Sequence, residues 1–164
     1  MKNKMKPEQK DLLRKINNGI IFKFFSLVKL PMVFLSGLKI DDLTNKNCQT
    51  SVCYNFLNKN PFNSTYFAVL SMAAELSTGA LVLLLVGGLG SDLKFIITGL
   101  NAKFHKKAKG KTIFKCSDSK KIFDAIVKAR NGSDAVNQIV ESLGYNEEGD
   151  LVASFQFIWT FKHK

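Results

Sequence analysis

Residues 60–85 read N-P-F-N-S-T-Y-F-A-V-L-S-M-A-A-E-L-S-T-G-A-L-V-L-L-L. The stretch opens on turn chemistry, Asn60-Pro61 and Asn63-Ser64, and Ser64 or Thr65 is placed to cap a helix. About twenty residues follow that are apolar on every side of a helix, so they need a protein core or a bilayer around them. One carboxylate, Glu75, interrupts them. Acidic side chains are rarely buried unless they are paired or have a chemical task. Three readings compete: a membrane span, a core helix with Glu75 at its periphery, or a helix wrapped by a sheet with Glu75 turned into a pocket. A span needs roughly 20 uncharged apolar residues. The strongly apolar charge-free run is only Ala80 to Gly90, and Gly87-Gly88-Leu89-Gly90 is expected to end it as a loop.

On either side of this stretch the pattern is that of strands. Leu38-Lys39-Ile40-Asp41 alternates, Thr44 to Asn47 supplies a turn, and Cys48 to Phe56 suits a partner strand. Cys48 and Cys53 have opposite parity there and should face opposite sides of the sheet. Downstream, Leu93 to Phe104 and Lys111 to Cys116 read as two strands paired through a lysine-rich turn at Gly110. Ser117-Asp118-Ser119 offers an N-cap for a helix carrying Ile122, Phe123, Ile126 and Val127, which Asn131-Gly132 stops. Leu151 to Phe161 alternates again, with Ala153, Phe155, Phe157, Trp159 and Phe161 as a row suited to cover the apolar helix. Residues 134–144 are ambiguous, because Val136, Ile139, Val140 and Leu143 have helical spacing.

The order of these elements, the N-x-F-N-S loop, the run Y-F-A-V-L-S-M-A-A-E-L-S-T-G (Tyr66 to Gly79) and the closing F-Q-F-I-W-T-F-K-H-K carry a resemblance. From about Gly37 onward the chain resembles an uncharacterised bacterial hotdog family related to the acyl-CoA thioesterases. The resemblance implies an α+β hotdog fold, a curved antiparallel sheet wrapped around a long central helix. It also turns 134–144 into a strand, hairpinned to the last one. Residues 1–36 then form a basic, amphipathic helical extension and 37–164 the hotdog domain. In those relatives an Asn before the helix and a carboxylate on it lie fifteen residues apart, as Asn60 and Glu75 do here. The resemblance thus implies acyl-CoA or acyl-thioester hydrolysis, with Glu75 as general base or nucleophile and Asn60 orienting water or thioester. Backbone N–H groups near Tyr66 and Phe67 would stabilise the oxyanion, and a homodimer or homotetramer would bring the two residues together. Asn63, Ser64, Tyr66, Phe67, Ala68 and Thr78 are the implied substrate contacts. Many relatives have His-Gly-Gly where this chain has Tyr66-Phe67-Ala68. Side chains there could fill the pocket, so a non-catalytic acyl-chain or lipid-binding protein is the alternative.

Composition agrees with one domain: 164 residues, 46% of them hydrophobic and 14 of them Phe, suit a single aromatic-rich core. Three Cys without C-x-x-C spacing and two His, His105 and His163, argue against a disulfide framework and a metal site, and no cofactor motif is present. The chain is expected to be reduced and cytoplasmic. Its net charge is +11, concentrated in residues 1–15 and 103–121. Such clusters attract phosphates. Only Arg14 and Arg130 could read a phosphate bidentately, so nucleic acid is not the expected partner. Residues 19–38 form an apolar stretch broken by Lys23, Lys29 and Pro31. It either packs over the protein, the favoured reading, or makes peripheral contact with a membrane.

Overall fold

A computed structural model describes residues 5–89 and 92–163. The element order is α1 (Pro7–Asn17), α2 (Gly19–Lys29), α3 (Pro31–Leu35), β1 (Lys39–Leu43), β2 (Cys48–Cys53), α4 (Phe67–Leu89), β3 (Leu93–Phe104), β4 (Lys111–Cys116), α5 (Ser119–Asn131), β5 (Val136–Tyr145) and β6 (Leu151–His163). The strands form one six-stranded sheet in the order β1-β2-β4-β5-β6-β3, every neighbouring pair antiparallel.

Helix α4 is the centre of the molecule. Strands β1, β2, β4, β5 and β6 pack against it, and α1 and α5 flank it. This explains why its sequence is apolar all round: Ala73, Ala74, Leu81, Val82 and Leu84 are each 0% exposed. It is long and apolar enough to cross a membrane, yet most of that length is buried inside this fold. Small side chains let the sheet approach closely, and three of its strands are pinned to α4 by polar groups. Thr50 of β2 donates to the Ala73 carbonyl at 2.7 Å, Ser142 of β5 meets Ser77 at 2.8 Å, and Trp159 of β6 donates to Thr78 at 3.2 Å. The aromatic row of β6 covers the helix as expected, Phe155, Phe157, Trp159 and Phe161 all being buried.

Residues 136–145 are a strand despite their helical spacing, because β4 and β6 pair with them on either side. Three expectations need correction. Strands β3 and β4 do not pair. β3 joins β6 along its length, while β4 lies between β2 and β5, so the lysine-rich segment between them is a crossover and not a hairpin turn. The register decides this: Phe95, Ile97, Leu100 and Ala102 meet Phe161, Trp159, Phe157 and Phe155, extending the apolar face that β4 could not match over six residues. Second, α4 continues through Gly87 and Gly88 to Leu89, since packing of the helix outweighs the glycine penalty. The turn expected from Gly87 falls partly on residues 90–91, outside the described residues. Third, neither Ser64 nor Thr65 caps α4. The helix begins at Phe67, Ser64 bonds to Asn60, and the buried Thr65 hydroxyl has no partner among the described residues.

Cys48 is buried and Cys53 exposed, as their parity requires. Cys48 stands opposite Cys116 across β2 and β4, and burial pushes both thiols up, Cys116 to about 12, so neither is a nucleophile at neutral pH.

Candidate active site

Glu75 sits in the third turn of α4, half-buried. Its carboxylate folds back along the helix over Gly79: a Cβ placed on Gly79 would stand 2.7 Å from Glu75 Oε1 and 3.7 Å from the Trp159 ring. The glycine makes the space that the carboxylate occupies. Among the described residues no hydrogen bond or ion pair reaches that carboxylate. Desolvation therefore acts without an offsetting partner and holds its pKa above the usual carboxylate value of 4.5. A raised carboxyl of this kind is a better base near neutrality than an exposed one.

Thr78 lies one residue before that glycine and is fully buried. It donates to the Glu75 carbonyl at 2.9 Å and accepts from the Trp159 indole, so its hydroxyl positions β6 against the helix turn that bears Glu75.

The loop before α4 is built on asparagines. Asn58 is buried; its side chain donates to the carbonyls of Ser36 and Cys53 and accepts from Asn55 N–H. Asn60 Oδ1 accepts from the N–H groups of Phe62 and Ser64, and its amide bonds the Ser64 hydroxyl at 3.1 Å. Asn63, exposed, takes the left-handed backbone at φ 56° that closes this turn. Asn60 and Ser64 are thus brought together, but no hydrogen bond joins Asn60 to Glu75 within one copy. Glu75 lies eight residues into the helix from Phe67, about 12 Å along its axis.

At the helix start Tyr66 is 45% and Phe67 54% exposed, with their rings in edge contact. Phe67 also meets Phe104 of β3, and Phe104 meets the buried Phe155. The Tyr66 N–H is occupied by the Asn58 carbonyl at 2.8 Å. Of the two N–H groups expected to face an oxyanion, only that of Phe67 remains without a partner among the described residues. Ala68, half-buried in the same turn, adds the next such N–H.

The lysine-rich crossover runs beside this loop. Thr65 N–H bonds the Ala108 carbonyl at 2.8 Å, and Lys107 stands 5.9 Å from the Phe62 ring. Lys106 pairs with Asp150, whereas no ion pair among the described residues involves Lys103, Lys107 or Lys109. Two clefts open elsewhere, one between α2 and β1, the other among α1, α4 and α5; neither is lined by Glu75. Sequence reasoning missed Gly79 and Asn58, and set Trp159 over the helix without its bond to Thr78. The four-residue step from Glu75 to Gly79 was the one available signal for the glycine, since it stacks them on one helix face.

No protein-family model matches the chain, and no curated protein matches it. Solved structures do. A Pseudomonas aeruginosa protein of unknown function, described as a probable thioesterase, shares the fold with a TM-score of 0.75 and 20% identity over 98% of this chain and 99% of that one. A Chlorobaculum tepidum protein of unknown function matches with a TM-score of 0.74 and 16% identity, over 96% and 95%. A Haemophilus influenzae thioesterase matches with a TM-score of 0.60 and 13% identity, over 84% and 87%. The chain has a thioesterase-like fold. At these identities the likeness is one of architecture, and in the first two structures it spans nearly the whole chain.

Proposed function

We propose that the protein is a hotdog-type hydrolase of acyl thioesters in which Glu75 is the general base or nucleophile. The observation that carries this reading is the desolvated carboxylate of Glu75, without a partner among the described residues, on a helix with no other charged residue, in a fold shared with thioesterases. As general base, ionised Glu75 takes a proton from water while the water oxygen bonds to the thioester carbon. The oxyanion that forms is met by N–H groups at the positive end of α4, those of Phe67 and Ala68. Collapse breaks the C–S bond, and the proton held on Glu75 passes to the departing thiolate. Asn60 has a second amide hydrogen, beyond the one given to Ser64, with which to orient the water or the thioester carbonyl.

Because the helix start stands about two helical turns from Glu75 in one copy, and no hydrogen bond joins Asn60 to Glu75 there, the complete site is proposed to form between two copies. The edge strand β3 supports this. It pairs on one side only, with β6, and exposes Leu100 as well as Phe104, the latter in contact with Phe67. Lys107 at the Phe62 ring of the Asn60 loop, with Lys103 and Lys109 near it in the chain and none of the three in an ion pair among the described residues, favours a carrier bearing phosphates, such as coenzyme A, over an uncharged thiol.

A second reading, retention of an acyl chain without turnover, is favoured by one observation: Tyr66 and Phe67 put two exposed rings at the helix start, and the Tyr66 N–H is already used. Thiol release from acyl-CoAs of short to long chain, on wild type and Glu75→Gln, separates the two. Hydrolysis that falls at least about 100-fold in the variant supports the hydrolase. Ligand retention with no thiol release by wild type supports the binding protein.

A further inference from the structure

Helices α2 and α3 pack on the protein by a narrow stripe, Phe22, Ser26 and Val33. Nine large apolar side chains between Ile20 and Leu35 remain exposed, among them Ile20 at 72%, Phe24 at 68%, Val28 at 74% and Met32 at 60%. At about 100° per residue, Leu27, Ile20, Phe24, Val28, Ile21 and Phe25 form a continuous arc of about 160° on α2, turned away from Phe22 and Ser26. Lys23 borders one rim of that arc and Lys29 the other. A contiguous apolar face of this size marks an interaction surface.

Charge identifies the occupant. Between Asp11 and Asp41 the chain has no acidic residue, and Lys23, Lys29 and Lys39 are exposed there. Two copies placed face to face would set these cations against each other, whereas an anionic lipid surface takes the apolar arc and matches the lysines. At eleven and five residues α2 and α3 are too short to span a bilayer. We propose that the α2–α3 face docks the protein on an anionic membrane surface, its apolar side chains entering the headgroup boundary and Lys23 and Lys29 reaching the phosphates. Helices of this design lie about 5–10 Å deep in that boundary, and lysines snorkel at their rims. The inference does not depend on Glu75 or on hydrolysis.

The test is flotation of the full chain with vesicles of phosphatidylcholine, alone or with about one third phosphatidylglycerol, at low and high salt. Wild type should float with the anionic vesicles and lose most of that binding in salt. Phe24→Ser/Val28→Ser and Lys23→Glu/Lys29→Glu, all at exposed positions, should each weaken binding at least about tenfold. Lys120→Glu/Lys128→Glu on α5, which makes the same change in net charge, should keep it. Circular dichroism confirms that each variant is folded. No flotation of wild type overturns the proposal, as does retained binding in the α2 variants. Equal loss in the α5 variant would reduce the effect to non-specific adsorption. A drop in oligomeric state in the α2 variants without vesicle binding by wild type would assign the face to a second copy.

Discussion

Glu75 and Gly79 depend on each other. A glycine in a helix interior costs about 1 kcal/mol relative to alanine, and here it is retained where a methyl group would meet the carboxylate at 2.7 Å. The far end of a glutamate can swing aside, so Gly79→Ala should raise stability by up to about 1 kcal/mol in urea unfolding. It should also lower thioester turnover by displacing Oε1, a split that a purely structural glycine would not show. Titration of Glu75 gives a second prediction. Its folded pKa lies above the ordinary 4.5 because burial disfavours the charge. The folded state therefore binds the proton more tightly than the unfolded chain, and the stability from the neutral acid is complete below 4.5 and lost as pH rises through the folded value. Wild type should lose stability relative to Glu75→Gln across that window, and the two should converge in acid. The same deprotonation should produce an acidic limb in the hydrolysis profile, absent in the variant. Melting curves at a series of pH values, paired with initial rates, check both.

Among the elements, α1 illustrates how side chains substitute for missing strand neighbours. Asn17 at its end donates to the Leu43 carbonyl at 2.9 Å and accepts from the Leu43 N–H at 2.8 Å, acting as one further residue of sheet beside the edge strand β1. Gln9 on the same helix donates to the Leu84 carbonyl of α4. Asn17→Ala leaves both backbone groups of Leu43 without their partner and should cost about 1–3 kcal/mol, with earlier proteolysis within α1. Denaturant unfolding and limited proteolysis read the two effects. The amphipathic pattern of α1 was legible in the residues, with Leu12, Leu13 and Ile16 turned to the core. The bond from Asn17 was not, because it joins groups 26 residues apart.

For the whole molecule, the sheet has two open edges and they are unlike. β1 is short and covered in part by α1 and α2, whereas β3 is twelve residues long and carries exposed apolar side chains. If a second copy closes the site at β3, Leu100→Lys should yield monomers that fold but hydrolyse at least about 100-fold more slowly. Sedimentation velocity and thiol release on one preparation test this; a monomer of full activity would place the complete site within one chain.

The residues alone determined that the stretch around Glu75 needs a core or a bilayer about it, and that an alternating aromatic strand runs from Leu151 to Phe161; the resemblance placed the helix at the centre of a sheet. The first follows from a run that is apolar on every face of a helix, the second from a period of 2, and neighbours alter neither. Resemblance, not periodicity, assigned 134–144 to a strand, because Val136, Ile139, Val140 and Leu143 satisfy a helix equally well. Tertiary structure decided the rest. Pairing of β3 with β6 depends on which apolar faces can be matched between residues that lie far apart in the chain, from Phe104 with Ala153 to Leu93 with His163. The space for the Glu75 carboxylate depends on Gly79 and Trp159 meeting from different elements. The exposure of α2 depends on how much core was left for it to cover: the sheet, α1 and α5 already enclose α4, so a helix as apolar as α2 is left with most of its surface in solvent.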